Sequence, residues 1–209
     1  MSTDVTRGFA FGLPKAELHL HLEGTLEPDL KLALARKNGV DIAQSTVEEV
    51  QATYRFNDLT SFLAVYYPAM DVLQDEDDFH DLAAAYFERA RANGVVRAEC
   101  FFDPQAHTSR GIAIETVIRG YHRAVVEARE AGLSADLILC FLRDMSAESA
   151  LETLQAALPY RDMFIGVGLD SDERDNPPTK FARVFELARE AGLHVTMHCD
   201  IDQVGSIDN

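Results

Sequence analysis

The chain has 209 residues, of which 47% are hydrophobic and 26% are charged, and its formal net charge is −16. This length and apolar content are typical of one large globular domain with a sizeable core. The strong negative charge argues against nucleic acids and anionic membranes as partners, and its simplest explanation is solubility.

The three cysteines, Cys100, Cys140 and Cys199, are widely spaced and form no C-x-x-C pair. An odd number of isolated cysteines favours reduced thiols over a disulfide framework. No stretch reaches the ~18 apolar residues of a membrane-spanning helix, and the N-terminus lacks the apolar run of a signal peptide. We therefore expect a soluble, cytoplasmic protein.

A short strand is predicted first, over 16–21, because apolar and polar residues alternate after the breaker Pro14. Side chains at i and i+2 of a strand lie on the same side, so His19 and His21 point together near its carboxyl end. Two converging imidazoles are half of a divalent metal site. The alternative is a pair of polar histidines on the solvated face of an edge strand, because H-x-H alone is a weak signal.

The rest of the chain alternates strand-like apolar runs with helical segments, a pattern typical of repeated βα units around a parallel sheet. Unusually, much helix falls between the first and second strands. Helices are predicted near 28–38, 59–73, 77–93, 111–131, 146–158 and 178–191, with a loop or short helix over 41–51 and further strands at 95–102, 135–142, 164–168 and 193–198.

The stretch 13–24, LPKAELHLHLEG, resembles the first-strand signature of the adenosine/adenine deaminase family of the amidohydrolase superfamily, and is most similar to the adenine deaminase subgroup. Further stretches match in order, so the resemblance covers nearly the whole chain from about residue 10: 97–111 (RAECFFDPQAHTSRG), 139–149 (LCFLRDMSAES), 166–181 (GVGLDSDERDNPPTKF) and 195–198 (VTMH). The resemblance implies a (βα)8 TIM barrel with a catalytic zinc ion.

The number of strands limits this expectation. A (βα)8 barrel requires ~250 residues, and only five strands can be placed before Asn209. We expect a single metal-dependent hydrolase domain over 1–209 that holds the first five βα units, is incomplete at its C-terminus, and carries the family's helical insertion over 28–93. In the family, the remaining units supply a histidine that activates water and an aspartate that completes the metal ligands; neither can be assigned here.

A third histidine, His198, ends the predicted fifth strand. Barrel strands present functional side chains at their carboxyl ends, so His19, His21 and His198 are predicted to meet at one rim. Three neutral imidazoles with an open position for water form a reasonable catalytic zinc shell, which lowers the pKa of the water toward ~7. Together with the resemblance, this predicts one Zn²⁺ per chain, held by these three residues.

The sequence departs from the family just beyond His198. Family members commonly continue H-A-G-E, whose glutamate donates a proton to the purine ring, whereas this chain reads H-C-D-I-D-Q and has Ile201 at that position. Isoleucine cannot donate a proton. Asp200 or Asp202 could replace the missing acid, since general acid catalysis requires a carboxyl group with a raised pKa. The alternative for each is a solvated acidic turn.

Other acidic residues follow the predicted strands. Glu23 stands where adenosine deaminases generally carry an aspartate associated with ribose, and its larger side chain is typical of members that take the free base; alternatively it packs the Gly24 turn. Asp170 and Glu173 lie where the family approaches the purine edge, and for Glu173 ligand contact and structure are equally favoured. Asp103 belongs to a polar rim or to an ion pair that braces it.

The resemblance implies hydrolytic deamination of a 6-aminopurine, with adenine favoured over adenosine as the small-molecule substrate and water as the second reactant. Two alternatives stay open. The chain could be a truncated, non-catalytic barrel fragment whose open sheet edges pair with a partner or with another copy in a homo-oligomer. It could also catalyse another amidohydrolase reaction, because a fold does not fix its chemistry.

Overall fold

A parallel sheet forms the centre of the protein, which we describe from a computed structural model covering residues 3–199 and residue 205. Its order is β1-β2-β3-β4-β5, so strands that follow one another in the chain also pair in the sheet, as in a βα barrel. The five predicted strands are confirmed. They are Lys15–His21 (β1), Val95–Phe102 (β2), Ser134–Leu142 (β3), Gly166–Asp170 (β4) and His194–Val195 (β5).

The last two strands differ from their predicted bounds. Strand β4 begins two residues later than predicted and includes Asp170. Strand β5 is only two residues long, but its backbone keeps the same hydrogen-bond spacing beyond Val195: the Thr196 amide donates to Val167 O and the His198 amide to Leu169 O, both at 3.0 Å. His198 is therefore held at the carboxyl end of the sheet.

Helices surround the sheet. All of the predicted helices are present, and the helix predicted over 111–131 starts only at Ile114 because Gly111 (φ +90°) turns the chain before it. They are α1 (Thr3–Gly12), α2 (Pro28–Asn38), α3 (Val47–Ala52), α4 (Leu59–Ala69), α5 (Glu76–Ala92), α6 (Pro104–Thr108), α7 (Ile114–Glu130), α8 (Ala147–Ala157) and α9 (Ala182–Glu190), with 3₁₀ turns at Leu22–Thr25, Met70–Val72, Leu158–Met163 and Pro178–Phe181.

Two of these helices were not predicted. Helix α1 contains Gly8 and Gly12, and glycine lowers helix propensity by about 1 kcal/mol relative to alanine. Helix α6 has five residues and is too short to show a helical period, although Pro104 occupies a favoured position in its first turn. None of the helices in the described part of the chain is both long enough and apolar enough to cross a membrane.

The outer face of the sheet carries the main core. Helices α5 and α7 pack closely there because residue 120 is glycine: a Cβ at this position would lie 2.5 Å from Glu76 O and 2.6 Å from the Phe79 Cβ. The rings of Phe79 and Tyr121 are fully buried and meet edge to face, with centroids 5.3 Å apart. This packing fixes the carboxyl ends of the strands relative to the helices.

The inner face has a smaller apolar group, formed by Phe101, Ile138 and Cys140. Gly168 of β4 lies against it, where a Cβ would approach the Cys140 Sγ to 2.5 Å. The Phe101 ring stacks on His19, with centroids 4.4 Å apart. The apolar group of the inner face therefore lies directly against the predicted metal ligands.

Candidate metal centre and substrate pocket

The three predicted histidines meet at the carboxyl rim of the sheet. The Nε2 atom of His198 lies 2.9 Å from Nε2 of His19 and 3.0 Å from Nε2 of His21. Strands β1 and β5 are the two edges of the sheet, so its curvature brings together side chains that are 177 and 179 positions apart.

The three ring nitrogens fit one divalent cation. A neutral imidazole nitrogen either carries one proton or offers one lone pair. The Nε2 atom of His198 therefore cannot make a good hydrogen bond to both other Nε2 atoms at once. A cation between the three rings would satisfy all three lone pairs. Tetrahedral ligands at zinc–nitrogen distances of ~2.0–2.1 Å lie ~3.3 Å apart, which is close to the separations at His198.

The other ring nitrogen of His21 faces two carboxylates. Its Nδ1 lies 3.2 Å from Asp170 Oδ2 and 3.7 Å from Asp103 Oδ1. Burial lowers the pKa of His21, but the attraction of the Asp103 and Asp170 carboxylates outweighs it and raises this pKa to about 10. A proton on Nδ1 is thus favoured. Metal-binding histidines use the same arrangement, in which a carboxylate holds one ring nitrogen and aims the other at the ion.

His198 and His19 show the opposite shift. Burial, with additional repulsion from His19 and His21, lowers the pKa of His198 to about 4. Burial and repulsion from His21 also lower the pKa of His19. Both rings are therefore uncharged at neutral pH, which is the form that binds a metal.

A second group of donor atoms, from His21, Asp103, Cys140 and Asp170, lies within 4.8 Å. Burial, with repulsion from nearby carboxylates, raises the pKa of the Cys140 thiol well above its ordinary value, and a neutral thiol is a poor metal ligand. This group shares His21 with the first one and reaches it through Nδ1. We interpret it as the set of groups that orients His21, not as a second ion site.

A cavity of about 300 Å³ opens beside the histidines. This volume is at the lower end of the ~300–1,000 Å³ range of small-molecule sites. Helix α4 forms one wall and the carboxyl ends of the strands form the other. The wall residues of α4 are Leu59, Phe62, Leu63, Tyr66 and Tyr67, and the polar residues opposite include Asp103, Asp170 and Ser171.

Glu23 lies behind the cavity wall. Its side chain is fully buried, and Oε1 accepts hydrogen bonds from the Asp103 amide, from His107 Nε2 and from the Tyr121 hydroxyl, each at 3.1 Å. The neighbouring Gly24 lines the cavity, whereas Glu23 does not. The structure therefore favours a bracing role for Glu23 over direct ligand contact.

Glu173 is also fully buried and lies outside the cavity wall, with Oε1 3.7 Å from Arg143 Nη1. Arg143, itself fully buried, donates to the carbonyl oxygens of Asn176 and His198, both at 2.9 Å. Among the predicted contact residues, only Asp170 lines the cavity. The predicted acids Asp200 and Asp202, and Ile201 between them, lie outside the described residues.

Sequence reasoning missed the wall that α4 contributes and the partners of Glu23. Helix α4 was predicted as a helix, but its period alone does not show which face meets a cavity. The position of α4 depends on a residue that is far away in the sequence: Arg174, in the loop after β4, donates to Thr60 Oγ1 at 2.7 Å. His107 lies 84 positions from Glu23, and the sequence carried no signal for that contact.

A parallel βα sheet whose carboxyl rim holds converging histidines and carboxylates defines the class of metal-dependent barrel hydrolases, and comparisons with known proteins define the family within it. The sequence profile described as adenosine deaminase matches residues 14–201. The chain belongs to the adenosine deaminase family. The resemblance to this family, and within it to adenine deaminases, is confirmed.

Two relatives show how much of the family's length is present. An adenine deaminase of Geotalea uraniireducens is 56% identical over 192 residues, which are 91% of this chain and 54% of the relative. An uncharacterized deaminase of Schizosaccharomyces pombe is 53% identical over 202 residues, which are 96% of this chain and 59% of the relative. The chain thus spans little more than half the length of these relatives.

Solved structures agree with this extent. The crystal structure of adenine deaminase from Arthrobacter aurescens superposes with a TM-score of 0.91 at 49% identity and covers 93% of this chain and 60% of that chain. An amidohydrolase from Burkhoderia ambifaria, described with bound Zn, gives a TM-score of 0.81 at 31% identity and covers 95% of this chain and 55% of that chain. The fold is the amidohydrolase barrel, of which about five βα units are present.

Proposed function

We propose that this chain provides the metal-binding and base-binding part of a zinc-dependent hydrolase that deaminates adenine to hypoxanthine and ammonia. The observation that carries the proposal is the convergence of three histidine Nε2 atoms, 2.9 and 3.0 Å apart, beside a cavity with an aromatic wall. One zinc ion per chain is expected there. Several relatives are named adenine deaminase, which supports the choice of reaction.

Each described residue has a defined part in this proposal. His19, His21 and His198 hold the ion, which supplies Lewis-acid activation of a water molecule when bound. Asp170 fixes the ring of His21, and Arg143 fixes the backbone of His198. The apolar and aromatic side chains of α4 contact the flat base and exclude bulk water, which strengthens the polar interactions inside the cavity.

The proton donor remains a prediction. The reaction requires an acid that protonates the ring nitrogen beside the amino-bearing carbon. Ile201 occupies the usual position, and we propose that Asp200 or Asp202 supplies the carboxyl group. Ammonia release that falls in only one of the two variants Asp200→Asn and Asp202→Asn would identify the donor.

Adenine is the proposed substrate, ahead of adenosine and N6-substituted adenines. The cavity has a volume of about 300 Å³, and a free base occupies less space than a nucleoside.

The test is ammonia release from adenine, with adenosine and N6-methyladenine alongside and with zinc content measured on the same sample. Two zinc-loaded proteins are compared: the 209-residue chain, and a fusion of this chain to the remaining segment of the Geotalea uraniireducens relative. We expect the fusion to deaminate adenine and its His19→Ala variant to be inactive. A fusion that binds one zinc ion but releases no ammonia from any 6-aminopurine would contradict the proposal.

A further inference from the structure

The cavity wall holds several buried polar atoms that have no hydrogen-bond partner within the described part of the chain. They are both carboxylate oxygens of Asp103, Oδ1 of Asp170, the Tyr66 hydroxyl and the Ser171 hydroxyl. Native proteins pair nearly all buried polar atoms, so a group of unpaired ones around one cavity indicates a ligand that pairs with them. Asp103 is the most informative member, because it is 0% exposed and offers two unpaired oxygens.

The position of Asp103 is fixed independently of the histidines. It directly follows strand β2, and its amide donates to Glu23 Oε1 at 3.1 Å, within the buried group that includes His107 and Tyr121. The Asp103 carboxylate thus projects from a braced backbone into the cavity.

The contact with His21 leaves the Asp103 carboxylate without a hydrogen bond. The nearest positive group to Asp103 is His21 Nδ1 at 3.7 Å, which is beyond hydrogen-bond distance. Asp170 is the closer partner of the same nitrogen, at 3.2 Å. The oxygens of Asp103 therefore remain available to a ligand.

Tyr66 supplies a complementary group from the other wall. Its hydroxyl oxygen is buried and unpaired, and Tyr66 lines the same cavity as Asp103. Burial, and then the charge of Asp103, raise the pKa of this hydroxyl, so it keeps its proton. Helix α4 thus presents a hydrogen-bond donor to the cavity into which Asp103 presents an acceptor.

A free purine matches this pair. Its five-membered ring carries one N–H and one bare nitrogen, and a nucleoside replaces that N–H with a bond to the sugar. Resting on the proposed function, we propose that Asp103 accepts the ring N–H of a free purine base while the Tyr66 hydroxyl donates to the bare ring nitrogen, so that Asp103 selects the base over N9-substituted purines. A site built around a substrate N–H rejects analogues that lack it, because its buried acceptor is then left unpaired.

The test measures kcat/KM for adenine and for 9-methyladenine, which lacks the ring N–H but is barely larger. The zinc-loaded fusion described above is used, with zinc content checked for each variant. We expect the wild type to prefer adenine by about 100-fold or more, and Asp103→Ala to reduce this ratio by at least about 10-fold, mainly through a higher KM for adenine. Tyr66→Phe reduces the ratio less, because it removes one neutral donor.

Asp170→Asn is the matched control, since Asp170 is the other carboxylate that faces His21. It should lower the rates for both substrates and leave their ratio unchanged. An unchanged ratio in Asp103→Ala, whether both rates fall or neither does, would overturn the proposal and leave Asp103 as a second orienting group for His21. Asp103→Asn keeps the size of the side chain and replaces Asp103→Ala if that variant does not fold.

Calorimetric binding of adenine and 9-methyladenine to the same proteins separates this inference from the proposed function. If the wild type releases no ammonia, the proposed function fails, but tighter binding of adenine that is lost in the Asp103 variants still supports the inference. Equal binding of the two compounds, or no binding of adenine, would overturn it.

Discussion

The two faces of the same sheet are organised differently. On the outer face, apolar side chains such as Phe79 and Tyr121 are fully buried between strands and helices. On the inner face, the apolar group is small and Leu18 is 55% exposed. The ring of His19 stacks on the packed Phe101, and Asp103 follows Phe101 by two residues. The outer face thus holds the fold together, while the inner face carries the chemistry and leaves polar atoms unpaired.

The largest expected effect comes from His198→Ala, which tests whether the two edges of the sheet share one ion. Removing one of three ligands should weaken zinc binding on the order of a thousandfold, measured by competition with a chelator. The zinc-free variant should unfold in urea with a free energy within about 1 kcal/mol of the wild type, because the inner face contributes little packing there.

His194→Ala is the control for this variant. His194 is the first residue of β5, is exposed, and belongs to neither group of donor atoms found among the described residues. Its replacement should leave zinc affinity unchanged. Equal zinc affinity in wild type and His198→Ala would show that His198 does not share a zinc ion with His19 and His21.

The outer face was largely predictable from the sequence. Strand β2 has its predicted bounds because Gly94 and the Asp103-Pro104 pair flank an apolar run. Helix α7 was predicted from a 3.6-residue apolar period, and its buried residues are largely those on that face. Such packing is periodic, so it leaves a pattern in the sequence.

The inner face was predictable only where a motif marked it. H-x-H and the end of the fifth strand located the three histidines. For Glu23 the sequence left open substrate contact or packing of the Gly24 turn, and in the structure its side chain lies behind the wall. Its partners His107 and Tyr121 are 84 and 98 positions away, and no periodicity links them. The sequence placed Asp103 at a polar rim or in an ion pair, and only the structure shows its contact with Glu23 and its two unpaired oxygens in the cavity.

Substitutions at two glycines, one on each face of the sheet, should have smaller effects and test the same difference between the faces. Gly120→Ala places a Cβ 2.5 Å from the backbone oxygen of Glu76 on the outer face, so α5 and α7 must move apart. We expect this variant to lose about 1–3 kcal/mol of unfolding free energy in urea, with unchanged zinc affinity. Gly8→Ala, where no atom lies within 4 Å of the added Cβ, is the control: it should lose no stability and could gain up to about 1 kcal/mol, because alanine favours helix α1.

Gly168→Ala makes an equally close contact on the inner face, 2.5 Å from Cys140 Sγ and 3.3 Å from the Phe101 ring. Since Phe101 stacks on His19 and His21, we expect weaker zinc binding in this variant as well as some loss of stability. If Gly120→Ala weakened zinc binding as much as Gly168→Ala, the two faces would not be separable.

The smallest expected effect is a count of protons. With a pKa of about 10, His21 is protonated at pH 7 before zinc binds, whereas His198, with a pKa of about 4, is neutral. Zinc binding to Nε2 should therefore release about one proton at pH 6, where Asp103 (pKa about 7) and zinc-bound water still hold most of their protons, measured by calorimetry in buffers of different ionisation enthalpy. Between pH 5 and 6, zinc affinity should rise about tenfold, because this step removes the proton that competes at His21.

Asp170→Asn tests the source of the released proton, because it removes the carboxylate closest to His21 Nδ1. The pKa of His21 should fall, and fewer protons should be released at pH 6. His80→Ala, on the outer helix α5, should leave the count unchanged. Zinc binding without proton release in the wild type would mean that the buried carboxylates of the inner face do not hold a proton on His21, and their role would then be confined to the ligand that fills the cavity.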